Sequence, residues 1–362
     1  MKNTAVIGYG GQGAWHTEQI KKSDVVSLVG VYDIVPEKRE LAQSRGIHTY
    51  SSVEELLADK KVDIVVIATP NDSHKELCIR ALEAGKNVIC EKPVMLSSND
   101  LEDVLDVARE TGMHFTAHQN RRYDVDFLAM KEIINSGEIG PAIAIESRIH
   151  GSRGIPSDWR GKKEYGGGML YDWGIHLIDQ VMQLFPEDNI SKVFCTEQHT
   201  TNNEVDDGFK LELLFNSGIT AHIEVGTLNF IAMPRFYLQC QNGSALITNW
   251  QQKTKVVHCK YWNEKEVLPI QTAAGITKTM APRDEITTEA YEIDIPKSDV
   301  HDFYRNFVKS IDGLEPQYVT HEESLQALRI IETAFKSIQE KQVVDFDNAL
   351  ERDSQIRIRI KK

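Results

Sequence analysis

Three side chains suited to moving protons stand in two short segments. Lys92 lies in Glu91-Lys92-Pro93, and Asp172 and His176 close the run Gly166-Gly167-Gly168-Met169-Leu170-Tyr171-Asp172-Trp173-Gly174-Ile175-His176. An imidazole can take a hydroxyl proton near neutral pH, and a neighbouring carboxylate can orient a ring or hold a second hydroxyl. A lysine whose pKa is lowered by burial beside another positive charge can donate to a hydroxyl or exchange a proton with it. The spacing of Asp172 and His176 puts both on one face of a helix, and the glycines before them would let backbone pass close to a ligand. The same pair also reads as an ordinary helix salt bridge, and Lys92 as a surface lysine after a strand. A metal would need a third ligand; neither His74 nor His118 has supporting spacing, so no metal is expected.

These residues need a scaffold, and the N-terminus supplies one. Ala5-Val6-Ile7 reads as a buried strand, Gly8-Tyr9-Gly10-Gly11-Gln12-Gly13 fits G-x-G-x-x-G, and Ala14 to Lys22 has helical composition. In that order Gly8 makes the tight turn, Gly10 lets backbone approach a pyrophosphate, and Gly13 allows close helix–strand packing. The pyrophosphate would rest on the helix N-terminus. Asp33 ends the next apolar run about 20 residues on, where a carboxylate holds a ribose 2′-hydroxyl and repels a 2′-phosphate. NAD is therefore favoured over NADP, with Lys38 and Arg39 as the residues that could soften the preference.

Apolar runs of strand length alternate with amphipathic helical stretches up to about residue 120, the pattern of a parallel sheet. The strands are Ala5 to Ile7, Val25 to Tyr32, Val62 to Ala68, Asn87 to Cys90 and His114 to Ala117; helices include Pro36 to Arg45, Ser73 to Ala84 and Asp100 to Thr111. Glu91-Lys92-Pro93 thus falls at the carboxyl edge of the sheet, where ligands bind in open α/β folds. Thr69-Pro70-Asn71-Asp72-Ser73-His74 follows another strand end and would cover the cofactor, or simply cap a helix. Beyond residue 123, Phe209-Leu211-Leu213-Phe215 and Ile219-Ala221-Ile223-Val225 alternate with period two, the mark of an antiparallel sheet. A helix from about Met169 to Leu184 precedes them, and two helices follow: Ser298 to Ile311, then one capped by Thr320 with Glu323. The segment Pro269 to Tyr291 is polar and irregular, compatible with an arm onto a neighbour or a flap.

The expected division is a dinucleotide-binding domain over 1–122 and a second α/β domain over 123–362 with a large, open-faced, mostly antiparallel sheet. Its uncovered face is expected to form a subunit interface. Asn120-Arg121-Arg122-Tyr123 sits at the junction, while Trp159, Arg160 and Tyr165 precede the glycine run as candidate substrate contacts. Of 362 residues, 41% are hydrophobic and 26% charged, with a formal net charge of −13, which disfavours nucleic acid and anionic membranes as partners. No apolar stretch reaches transmembrane length and no signal pattern opens the chain, so a cytoplasmic location is expected. The five widely spaced cysteines suggest buried thiols rather than disulfides.

Taken together, Gly8 to Gly13, Thr69-Pro70-Asn71 with His74, Glu91-Lys92-Pro93, Asn120-Arg121-Arg122 and Gly167-Gly168 leading to Asp172 and His176 resemble the glucose-fructose oxidoreductase, inositol dehydrogenase and rhizopine-catabolism family, Gfo/Idh/MocA. The resemblance covers nearly the whole chain. It implies a Rossmann domain and an open-faced α/β domain, usually assembled as dimers or tetramers through that sheet. Lys92, Asp172 and His176 would be the catalytic group. NAD would be held by Gly8, Tyr9, Gly10, Gly11, Gln12, Gly13, Asp33, Thr69, Pro70, Asn71, His74, Glu91 and Lys92. The substrate, a sugar, inositol or glycoside, would meet Asn120, Arg122, Tyr123, Trp159, Arg160, Tyr165, Asp172 and His176. Arg121, Arg122, Arg153 and Arg160 could instead grip a phosphate. The reaction implied is hydride transfer between nicotinamide and a secondary hydroxyl. Within the same resemblance, some members keep NAD bound and oxidise the sugar C3 transiently to break a glycosidic bond, some are non-catalytic sensors, and biliverdin reductase relatives reduce a non-sugar ring.

Overall fold

The structure is a computed structural model that describes residues 1–262, 268–283 and 285–347. Its first half follows the alternation of the sequence: β1 (Lys2–Ile7), α1 (Gly11–Lys22), β2 (Val26–Tyr32), α2 (Pro36–Ser44), α3 (Val53–Ala58), β3 (Ile64–Ile67), α4 (His74–Glu83), β4 (Asn87–Cys90), α5 (Ser98–Thr111) and β5 (Phe115–Ala117). The strands form one sheet in the order β2-β1-β3-β4-β5, with every neighbouring pair parallel. Ile64-Val65-Val66-Ile67 has no exposed surface at all, which is why β3 reads as an unbroken apolar run rather than an alternation. Helix α5 starts two residues earlier than the sequence suggests, because the Ser97 hydroxyl accepts the Asp100 N–H and fixes the first turn.

The second half comprises α6 (Val125–Ser136), β6 (Ala142–His150), α7 (Ile175–Leu184), β7 (Ile190–Gln198), β8 (Gly208–Phe215), β9 (Thr220–Gly226), β10 (Phe236–Cys240), β11 (Gly243–Ile247), β12 (Thr254–Cys259), β13 (Ile270–Thr272), β14 (Gly275–Thr277), β15 (Thr288–Ile293), α8 (His301–Ile311), α9 (His321–Glu340) and β16 (Val344–Asp345). A nine-stranded sheet runs β15-β12-β11-β10-β6-β9-β8-β7-β16, antiparallel except for the β6–β9 pair. Period-two alternation sends Phe209, Leu211, Leu213, Phe215, Ala221, Ile223 and Val225 into the core beneath α7 and α9, while Lys210 and Glu212 stay in water. The other face is polar: Arg148 pairs with Glu224 at 3.2 Å, and His222 bridges Glu212 and Glu224.

Two expectations need correction. The segment Pro269 to Tyr291 is not irregular throughout: β13 and β14 make a small hairpin, and β15 adds an edge strand to the large sheet beside β12. The helix expected from Ser298 starts at His301, since the Asp299 carboxylate accepts the His301 N–H and holds the entry turn. The box at Thr320 and Glu323 forms as expected. The last two helices cross back to the first, parallel sheet and its helices. Tyr304 of α8 bonds His16 of α1 at 2.6 Å, and Glu332 of α9 accepts both the N–H and the hydroxyl of Ser98.

Candidate active site

The glycine turn divides its labour. A Cβ on Gly8 would stand 2.4 Å from the Ala68 carbonyl oxygen, and one on Gly13 would stand 1.9 Å from that of Gly8, so both are required by packing. Gly10 and Gly11 face open space, and Gly10 caps α1 without any side-chain bond. The unpaired N–H groups of the first helical turn therefore border an open cradle, which fits a pyrophosphate. Asp33 follows β2 and accepts the Tyr9 N–H at 2.6 Å and the Val35 N–H at 2.8 Å. Arg39 is turned onto the carbonyls of Asp33 and Ile34. The Tyr9 ring is core, its hydroxyl bonded by Arg45, so Tyr9 faces the cradle with backbone only.

At the carboxyl edge of the sheet, two turns are braced against each other and against the second domain. His74 is buried with its ring nitrogens 3.0 Å from the Pro93 and Thr69 carbonyls, and Asn71 donates to the Gly166 carbonyl at 2.8 Å. His74 is thus a strut between loops rather than the cofactor contact the sequence suggests. Thr69 accepts from Ser73, and Pro70 precedes the short turn that opens α4.

Glu91 is also enclosed. Its Oε1 lies 2.8 Å from His16 Nε2 and 2.7 Å from His118 Nδ1, and its Oε2 accepts the Lys92 N–H. Burial alone would push this carboxyl up, but the two histidines hold it well below the usual range. Three such groups invite a metal reading. Their separations are those of hydrogen bonds, however, whereas zinc with bonds of about 2.0–2.1 Å in a tetrahedron needs ligands about 3.4 Å apart.

Lys92 reaches across from β4 to the other domain, where its Nζ donates to Asp172 Oδ1 at 2.8 Å and to the Asp172 carbonyl at 2.9 Å. Arg160 Nε stands 3.4 Å from Asp172 Oδ2. Burial raises the Asp172 carboxyl, and the two cations more than offset it, so the net shift is downward. A π-helical turn, Leu170–Gly174, leads into α7 and carries Asp172; His176 follows in the first turn of α7. Burial, then the positive charges of Lys92 and Arg121, hold the His176 imidazole well below its ordinary pKa, so it is neutral at physiological pH. The Trp173 ring meets His176 edge-on at 5.9 Å, and Arg121 lies over the rings of Trp173 and Trp250.

Buried polar atoms without a hydrogen-bond partner gather here: His118 Nε2, Gln119 Oε1, Asn120 Oδ1, Arg121 Nε and His176 Nδ1. Such atoms cost free energy unless something pairs with them. Four belong to consecutive residues, His118 to Arg121, that directly follow β5.

Other expected contacts fall elsewhere. Arg122 is buried in a cage of Asp179 at 2.5 and 2.8 Å, Glu323 at 3.0 Å and the Tyr318 carbonyl at 2.8 Å, which uses four of its five N–H groups and leaves it with almost no exposed surface. Tyr123 packs on Tyr318 and lines a separate cleft with Lys297, Asp302 and Arg305. Trp159 stacks beneath Arg160 in the loop near Asp172, and Tyr165 lies under Lys162. The glycine run serves packing rather than ligand approach. A Cβ on Gly166, Gly167 or Gly168 would strike Leu96, the Arg160 carbonyl or the Asp206 carboxylate within 2.2–2.3 Å. His16, Trp250 and Asp206 had no spacing to mark them; each is brought in by the fold from another element.

This arrangement has counterparts. Residues 2–119 match the model of the oxidoreductase family NAD-binding Rossmann fold, and residues 131–346 match the same family's C-terminal alpha/beta domain. The crystal structure of an NAD-binding protein from Listeria innocua superposes with a TM-score of 0.92 at 44% identity, over 95% of this chain and 99% of that one. A scyllo-inositol 2-dehydrogenase (NADP(+)) from Bacillus subtilis is 26% identical over 94% of each chain. An oxidoreductase from Schizosaccharomyces pombe is 35% identical, and there the matched region spans about half of both proteins, 49% of this chain and 48% of the other. With both domains matched in order, the chain belongs to the Gfo/Idh/MocA oxidoreductase family.

Proposed function

We propose that this oxidoreductase oxidises a secondary hydroxyl of a sugar, inositol or glycoside, with NAD as the acceptor. The observation that carries the reading is the meeting of Lys92 with Asp172 at 2.8 Å beside a buried, neutral His176. Bound at the Gly10 cradle, the dinucleotide would supply the hydride acceptor. Asp172 holds the Lys92 ammonium at the mouth of the site, Lys92 hydrogen-bonds the reacting oxygen, and His176 accepts the hydroxyl proton at a ring nitrogen. Proton removal by His176 and hydride loss from carbon together leave a ketone. Trp159, Trp173 and Arg160 supply flat and polar surface for a polyol ring, and Asn120 offers it a free acceptor. The scyllo-inositol relative supports a cyclitol as a first substrate to try.

Preference for NAD over NADP rests on the Asp33 carboxylate, fixed by two backbone N–H groups, and on Arg39 being engaged with carbonyls. The polar open face of the large sheet is where we place homodimer or homotetramer contacts, which sedimentation of an Arg148→Glu variant would test. No helix among the described residues is long and apolar enough to cross a membrane.

The test is absorbance at 340 nm with NAD or NADP and a panel of inositols, hexoses, hexose phosphates and aryl glycosides. A steady rise with a polyol supports the reading. No rise, with a sugar released and reduced cofactor trapped on the protein, replaces it with an internal redox cycle; no rise and no release sinks it.

A further inference from the structure

The helix that carries Asp172 and His176 starts without a cap of its own. The two N–H groups that open it, Met169 and Leu170, donate to a residue far along the chain: Met169 to the Asp206 carbonyl at 3.1 Å and Leu170 to Asp206 Oδ2 at 2.9 Å. Asp206 belongs to the loop 199–207 between β7 and β8 and is buried. The same loop braces the segment before the helix. Asn202 donates to the Gly161 carbonyl at 2.8 Å, the Ile155 N–H reaches Thr201 Oγ1, and Asp207 holds Thr201 in turn. Gly168 has φ +109°, and a Cβ there would stand 2.3 Å from Asp206 Oδ1, so the carboxyl can reach the helix only over a glycine. An end of helix with unpaired N–H groups buried in protein would be costly; here a distant loop satisfies it and fixes where the helix begins.

We propose that Asp206 is the positioning residue of this helix, docking its first turn so that Asp172 meets Lys92 and His176 faces the reacting oxygen. It touches neither substrate nor cofactor, and its effect on turnover rests on the function proposed above. Displacing a reacting group by about 1 Å can cost about a hundredfold in rate. Asparagine at 206 keeps an acceptor of the same length, whereas alanine removes it.

Two readouts on the full chain test this: hydrogen exchange across residues 168–176 in the ligand-free protein, and kcat and KM with the best polyol. Asp206→Ala should speed exchange at Leu170, whose acceptor is the side chain, at least about tenfold and lower kcat about ten- to a hundredfold, with KM for NAD within about twofold of wild type. Asp206→Asn should restore both. If the alanine protein is not recovered folded, Asp206→Ser, too short to reach Leu170, should show the same loss. Unchanged exchange in these variants, lost protection with undiminished kcat, or failure of a folded Asp206→Asn protein to rescue would each overturn the proposal. If wild type oxidises no polyol, the preceding function fails, while the exchange pattern alone still decides whether Asp206 docks the helix.

Discussion

At the scale of single residues, the site sets its charges through a few contacts, and these give the sharpest expectations. His176 is kept neutral by burial and then by Lys92 and Arg121, so the acid limb of the kcat/KM profile should lie below the pH of an ordinary histidine. Removing the Lys92 charge with Lys92→Met takes away one depressing influence, and the limb should move upward in pH while turnover falls about 10²- to 10⁴-fold. A rate–pH series on both proteins checks the direction; a limb that stays put would show that His176 is not the titrating group. Asp33 should govern the cofactor. Asp33→Ser removes the carboxylate that would repel a 2′-phosphate, and the NADP-to-NAD ratio of kcat/KM should rise at least about tenfold, measured by initial rates with each cofactor. Residue type and spacing singled out Lys92, Asp172 and His176 as candidates, but the bond between Lys92 and Asp172 joins segments that no spacing relates. Arg122 was misplaced because spacing cannot tell an arginine that faces a ligand from one caged by Asp179 and Glu323, residues 57 and 201 positions away.

Among elements, the glycines before α7 show the limit of reading sequence locally. Their presence is plain in the chain, yet what each one clears, Leu96, Arg160 or Asp206, depends on loops that no periodicity brings together. Strands and most helices were legible because burial imposes period two, or an unbroken apolar run, on them. β13, β14 and β15 escaped because edge strands in water need no such pattern. Asp206 also has a thermodynamic signature. Burial raises its carboxyl to about 7 in the folded protein from an ordinary 3.8. A folded-state pKa above the unfolded one means that the protonated group's contribution is complete below pH 3.8 and is lost as pH rises to about 7. Asp206→Asn does not titrate, so urea unfolding should find its stability relative to wild type increasing by a few kcal/mol between about pH 4 and pH 8. A constant difference across that range would count against the raised value.

For the whole molecule, buried ion pairs tie segments that are distant in the chain. Arg122 binds Asp179 of α7 and Glu323 of α9, and Arg235 pairs with Asp126 of α6 at 2.9 Å. Truncating Arg122 to alanine strands at least one buried carboxylate, so stability should fall by about 3–5 kcal/mol, read by urea unfolding; a loss under about 1 kcal/mol would mean that water replaces the guanidinium freely. The architecture itself was foreseeable from the change of pattern near residue 123, but the return of the last helices to the first domain was not. Nothing in the composition of α8 points toward His16.

That return makes the first 122 residues an incomplete object. Without Tyr304 and Phe303, which bond His16 and pack edge-on against His118 at 4.6 Å, a fragment ending at residue 122 would open to water the floor beneath the Glu91-Lys92 turn. Such a fragment should therefore bind dinucleotide at least about tenfold more weakly than the full chain, each group lost from that floor being worth about 1–3 kcal/mol. Calorimetric titration of the two proteins would show it, and equal affinities would mean that the nucleotide half is self-sufficient. Weaker binding by the fragment would mean that this half is no free cassette: any new partner domain would have to carry its own plug for the same hole.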